Sequence, residues 1–156
     1  GEYLYEPSGA VVRAHLVQEL AQELGANLID PHLAYLTAAK AVQSPLAQCY
    51  EVLEEIPVHE KQLKKWVHER GFTALTIKKR GVDLVPEKMR ATLLAGGAGK
   101  KSGKKAAKNQ GYNPATLVFT RVGFGQQARR IGWHVRPVDF SDSAQVSSSD
   151  TKNSVV

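Results

Sequence analysis

The run Tyr50-Glu51-Val52-Leu53-Glu54-Glu55-Ile56, stopped by Pro57, decides the architecture of this 156-residue chain. Two periodicities compete in it. Leu46, Cys49, Tyr50, Leu53 and Ile56 fit a helical stripe, whereas the end of the run reads equally as a strand closed by proline. Taken alone, these residues leave both assignments open.

The flanks are plainer. Residues 59–70 predict a helix with Leu63, Trp66 and Val67 on one face, ended by Gly71. Residues 73–80 are rich in strand formers. Pro86 suits the first position of another helix that turns Met89, Leu93 and Val85 inward. Toward the N-terminus, Ser8 caps a helix over 8–24 with Val12, Leu16, Leu20 and Leu24 every fourth residue, and Gly25 stops it. Asp30-Pro31 is a break, and residues 33–37 read as a short strand. Toward the C-terminus, residues 115–122 are a strand, Gly123-Phe124-Gly125 a turn, and residues 129–135 the hairpin partner. Residues 95–114 hold five Gly and five Lys and predict a flexible insertion, while 139–156 predict a disordered polar tail. The expected fold is one α/β (α+β) domain over 1–138, with a mixed sheet, about three helices and a C-terminal hairpin.

Composition narrows the class. The chain is 42% hydrophobic and 23% charged, as in soluble globular proteins. No apolar run approaches the roughly 20 residues that span a bilayer. The single cysteine, Cys49, excludes an intramolecular disulfide framework. A cytoplasmic, monomeric domain without a membrane partner is the simplest expectation. Met89 is the only methionine, so the sequence reads as the C-terminal part of a longer protein.

The net charge of +6 is unevenly placed. Residues 1–94 sum to −1, residues 95–138 carry nine Lys and Arg with no acid, and 139–156 sum to −2. One concentrated basic segment on a neutral body is the footprint of a polyanion binder. Lysine-rich loops also serve as solubilising linkers.

Catalytic and cofactor motifs fail on spacing. Gly99-Lys100 is followed by Lys101, and the glycine a phosphate loop needs is replaced by Leu94. Gly96-Gly97-Ala98-Gly99 matches the short loop of KH domains, a pattern common in linkers. Gly123-Phe124-Gly125 lacks the third glycine of a dinucleotide fingerprint. His15, His32, His59, His68 and His134 do not show metal-ligand spacing, so no metal is expected. Glu51, Glu54 and Glu55 read as an exposed acidic face, and Cys49 as a small buried hydrophobe. No catalytic residue is expected.

Two basic arrangements outside the insertion carry more. Lys61, Lys64, Lys65 and His68 recur at helical spacing opposite Leu63, Trp66 and Val67. Thr76, Lys78 and Arg80 share one strand face, Lys79 points to the other, and Gly81 breaks the strand. Cations fixed on a strand end beside a basic helix suit a phosphate backbone.

Tyr3-Leu4-Tyr5-Glu6-Pro7 leading into Val11-Val12-Arg13-Ala14 resembles the start of a THUMP-like domain. So do Ser44-Pro45-Leu46, Tyr50-Glu51-Val52-Leu53-Glu54, Leu75-Thr76-Ile77-Lys78-Lys79-Arg80-Gly81-Val82-Asp83 and Ala115-Thr116-Leu117-Val118-Phe119-Thr120-Arg121-Val122. Such domains stand at the C-terminal end of certain class I S-adenosylmethionine-dependent methyltransferases. The resemblance implies a strand–helix–strand unit over 49–80, and so a strand at 49–56. The lysine-rich insertion lies outside the pattern. S-adenosylmethionine would belong to an upstream domain, with no cofactor in this chain.

The implied function is a non-catalytic module docking RNA for that upstream domain. Lys61, Lys64, Lys65, Lys78, Lys79 and Arg80 would contact phosphates. Lys100, Lys101, Lys104, Lys105 and Lys108 would add salt-sensitive attraction, and Arg121, Arg129 and Arg130 would extend the surface. The alternative is a structural module packing on the methyltransferase domain through Tyr3, Leu4 and Tyr5. An exposed apolar patch there would favour it.

Overall fold

Residues 47–56 form a strand, and a computed structural model describing residues 2–96, 111–123 and 125–141 places it centrally in a mixed sheet. In chain order the elements are β1 (Glu2–Pro7), α1 (Gly9–Arg13), α2 (Val17–Leu24), β2 (Asn27–Leu28), β3 (Leu36–Ala38), β4 (Ala47–Ile56), α3 (Glu60–Arg70), β5 (Ala74–Lys79), α4 (Pro86–Leu94), β6 (Pro114–Val122) and β7 (Arg129–Pro137). The sheet order is β2-β3-β1-β4-β7-β6-β5, with β5·β6 parallel and the other pairs antiparallel. The expected mixed α/β fold is therefore observed, with four helices among the described residues.

A bulge explains why β4 read ambiguously. Its register against β7 slips between Val52 and Glu54, leaving Leu53 as the extra residue. Cys49 faces the helices before the slip and Ile56 faces them after it, so strict alternation is lost.

Three clusters form the core. Leu63 and Val67 of α3 and Leu93 of α4 pack on Leu75, Ile77, Leu117 and Phe119. Complete burial of such side chains contributes about 1.5–3 kcal/mol each. Val11 of α1 with Leu20, Ala21 and Leu24 of α2 packs on Tyr5, Leu36 and Cys49. Alternation puts both clusters on one face of the sheet. Leu4, Tyr35, Tyr50, Val118 and Val135 make a third cluster on the other face.

That third face is concave. In a flat sheet β1 and β5 would lie about 19 Å apart, four strand spacings. Yet Lys78 Nζ of β5 is 3.0 Å from Glu6 Oε1 of β1. The sheet coils until these two corners meet. The segment between β2 and β3 covers the hollow: Tyr35 and Ile29 join the third cluster, and Asp30 Oδ2 accepts from the Gly123 N–H at 2.9 Å. Gly81 (φ 73°) admits the segment, since a Cβ there would meet Leu33 Cδ2 at 2.6 Å.

Several expectations are corrected. The single helix over 8–24 is two helices, broken at His15, whose φ is +58°. Ser8 and Gly25 do cap the two ends. The strand expected at 33–37 occupies Leu36–Ala38. Val85 is 49% exposed, because it precedes α4 instead of facing inward with Leu93. Leu4 and Tyr5 are fully buried in the domain's own core, so β1 offers no exposed apolar patch. Most of the expected insertion and nearly all of the expected tail fall outside the described residues. Just before β6, the Asn113 side chain donates to the carbonyls of Arg70 and Gly71. Phe140 packs against the second cluster.

Candidate nucleic-acid interface

Strand direction collects the cations. The C-terminal ends of β4, β5 and β6 and the start of β7 lie at one end of the sheet. Lys79, Arg80, Arg121, Arg129 and Arg130 therefore gather there, and the start of α3 with Lys61 follows from β4 four residues later. Lys79, Arg129 and Arg130 are exposed, as are Lys61 and Lys65. Glu55, Glu60 and Asp83 are the exposed acids nearest this end along the chain.

The cations differ in how far they are already engaged. Lys65 sits 3.9 Å from Glu69 one turn on, an exposed pair that leaves its charge available. Lys64 is half-buried. His68 does not join the solvent stripe: its Nε2 meets the Leu93 carbonyl at 3.0 Å, at the C-terminus of α4 where carbonyls lack helical partners. Arg121 Nη1 donates to the Gly123 carbonyl at 2.9 Å, stiffening the β6–β7 turn. Asp30 beneath that turn is held below the usual carboxylate range by the His32 backbone N–H, with the Gly123 N–H and the Arg121 charge assisting against burial.

Lys78 and Arg80 face the concave side as their alternation predicts, but they are held from within. Lys78 bonds Glu6 and lies 5.9 Å from the centre of the Tyr50 ring. Burial presses its ammonium down, and Glu6 more than offsets this, so the pKa stands above the usual lysine value. Arg80 stacks 5.5 Å over Tyr35, and its Nη2 reaches the Pro7 carbonyl at 3.5 Å. Lys100, Lys101, Lys104, Lys105 and Lys108 lie outside the described residues.

Sequence reasoning missed the opposite end of α3. There Arg70 makes two hydrogen bonds to Glu54, at 2.8 and 2.7 Å, and Trp66 Nε1 donates to the same carboxylate at 3.3 Å. His134 packs edge-on against Trp66 and Phe72. Arg136 pairs with Glu51. Glu51 and Glu54 are thus structural acceptors, and no signal in the sequence paired them with cations 85 and 16 residues away. Among the described residues no three His, Cys, Asp or Glu side chains are grouped to hold a metal ion. None of their helices is long and apolar enough to cross a membrane.

Known proteins resemble the chain in sequence and in fold. The chain is 29% identical over 137 residues to uncharacterised S-adenosylmethionine-dependent methyltransferases of Mycobacterium tuberculosis strains CDC 1551 / Oshkosh and ATCC 25618 / H37Rv, matching 88% of this chain and 34% of theirs. It thus spans about a third of the length of these relatives. A crystal structure of a provisionally assigned methyltransferase from Porphyromonas gingivalis W83 superposes with a TM-score of 0.59 at 16% identity, over 88% of this chain and 30% of that one. At that identity the likeness is one of fold. The family profile described as THUMP domain-like matches residues 47–137, from the start of β4 to the end of β7. The chain belongs to the THUMP domain-like family.

Proposed function

We propose that this domain is the non-catalytic, RNA-docking module of an S-adenosylmethionine-dependent methyltransferase, attached at the C-terminal side of the catalytic domain. The observation that carries the reading is the end of the sheet where Lys79, Arg80, Arg121, Arg129 and Arg130 converge beside Lys61 of α3. Three of these cations, Arg121, Arg129 and Arg130, come from a stretch, 95 to 138, that carries no acid. Exposed cations on rigid elements position a phosphate backbone without reading bases, which suits recognition of folded RNA by shape. The methyltransferase names of the relatives support the enzymatic context.

The test is titration of the chain with structured RNA at low and physiological salt. About four phosphate contacts should give a log–log slope of roughly −3 to −4. Reversing Lys61, Lys65, Arg129 and Arg130 together should weaken binding at least tenfold while leaving thermal unfolding unchanged, since all four are exposed. A complete lack of binding at low salt overturns the reading. Lys78 is a poor test position, because a glutamate there would face Glu6 and disturb the fold.

One observation favours a second reading, a module that packs on the catalytic domain. An apolar groove of about 410 Å³ runs between α1, α2 and Leu46, lined by Ala10, Val11, Ala14 and Leu20. Leu16 and Leu46 stand 47% and 42% exposed along it. The packing surface then lies there, and not at Tyr3, Leu4 and Tyr5.

A further inference from the structure

Where the coiled sheet brings the end of β5 over the end of β1, a polar cleft of about 430 Å³ opens. Ser8, Gly9, Ser44, Gln48, Glu6 and Arg80 line it, with Pro7, Pro45 and Ala47. Arg80 is fixed in place by Tyr35 and by its backbone, whose N–H donates to the Phe119 carbonyl and whose carbonyl accepts from Thr120 Oγ1. Its guanidinium leans on the Tyr35 hydroxyl and the Pro7 carbonyl, while its Nε is buried without a hydrogen-bond partner among the described residues. A buried donor left unpaired is costly and asks for an acceptor.

A second guanidinium lies beside Gly9, one of the lining residues. Arg13 of α1 folds back over Gly9, so close that a Cβ on Gly9 would lie 2.9 Å from its Nη1. Neither Arg13 nor Arg80 forms an ion pair among the described residues. The one carboxylate in the lining, Glu6, is already paired with Lys78. The serine hydroxyls face the cleft as acceptors of backbone N–H groups, Ser8 from Val11 and Ser44 from Leu46, and each keeps its own proton to donate. Two guanidiniums without a carboxylate partner and two hydroxyl donors around one cleft form an acceptor-seeking set matched to a tetrahedral oxyanion.

We infer that this cleft binds a phosphate group, with Arg80 at its floor, Arg13 beside Gly9, and Ser8 and Ser44 donating from the walls. The cleft is larger than a lone phosphate, so it also has room for the group that carries it. The inference does not depend on the RNA-docking reading, because free phosphate and a polynucleotide phosphate present the same chemistry.

The experiment is a residue-resolved NMR titration of the labelled chain with inorganic phosphate. Parallel titrations use a short oligoribonucleotide with a 5′-phosphate and the same oligonucleotide with a 5′-hydroxyl. The expected result is saturable shifts of the Gly9, Ser44 and Gln48 amides and of the Arg80 Nε–H signal. Arg13→Gln, at an exposed position, should weaken them several-fold with the fold intact, and Arg80→Gln should do so more strongly. A preference for the phosphorylated oligonucleotide assigns the source to RNA ends, and equal response to inorganic phosphate assigns it to a small phosphorylated compound. Shifts that never saturate, or that both variants leave unchanged, overturn the inference. If structured RNA binds while the cleft signals stay still, the cleft reading fails and the docking reading stands. Phosphate shifts in the cleft without any RNA binding give the reverse.

Discussion

Glu54 answers to three side chains at once. Arg70 holds both of its oxygens, Trp66 donates to one, and His134 Nδ1 lies 3.8 Å from the other. The Arg70 hydrogen bonds, ahead of opposing burial, hold the Glu54 carboxyl below its usual 4.5. His134 moves the same way for another reason. Burial pushes its imidazole below the usual 6.5, with help from the Arg70 and Arg136 charges and against the pull of Glu54. For both groups the unfolded chain binds a proton more readily, so stability is full at high pH and drains as pH falls. The His134 contribution starts to go near 6.5 and is lost as pH falls through its lowered value. The Glu54 contribution follows below 4.5. His134→Phe keeps a ring against Trp66 and Phe72 while removing the proton site. In urea unfolding, the native chain should lose stability between about pH 7 and pH 5 while His134→Phe stays flat over that interval. Equal losses in both would show that another group titrates there.

At the scale of elements, the break between α1 and α2 follows from packing that local periodicity conceals. Val11 and Leu20 enter the same cluster. They are nine residues apart, about two and a half turns, so a straight helix would put them on opposite sides. The chain must turn between them, and the i, i+4 row of Val12, Leu16, Leu20 and Leu24 is a misleading stripe: Leu16 on it is 47% exposed. His15 takes the turn in the left-handed region, where a side chain costs about 1–2 kcal/mol. Because His15 is exposed, His15→Gly should raise stability by up to about 1 kcal/mol after the entropy of glycine is deducted. His15→Val should lower it, and thermal melts of both variants check the pair. A drop with glycine would place the stabilising role in the histidine ring. Other elements were legible because their signals are local. The α3 stop at Gly71 (φ 69°), the proline at the start of α4 and the β6–β7 hairpin all stand as the sequence implies. The bulge in β4 and the two-residue β2 depend on pairing with distant strands, and nothing within a few residues announces them.

The coil of the sheet is a property of the whole molecule, and it set the limit on reading the site. Alternation correctly put Lys78 and Arg80 on one strand face, but only the tertiary fold shows that this face closes on Glu6, 72 residues earlier. A cationic pattern that looked free is half spent on the domain's own interior, and the exposed cations of the same end remain. The same coil predicts how the domain unfolds. On the helix side the first and second clusters are separate, which would allow the two halves of the sheet to melt independently. On the concave side the third cluster draws Leu4 from β1, Tyr50 from β4, Val118 from β6 and Val135 from β7, so neither half can open without exposing the other's buried surface. The Lys78–Glu6 contact and the Asp30–Gly123 hydrogen bond tie the same corners. Trp66 reports on the first cluster and Trp133 on the third. Trp66→Phe and Trp133→Phe leave one fluorophore each. After correction for each variant's own stability by circular dichroism, fluorescence and secondary structure should give coincident urea transitions in both proteins. A transition at Trp66 that precedes loss of the sheet signal would mean that α3 and α4 detach first, and that the concave cluster does not bind the halves into one cooperative unit.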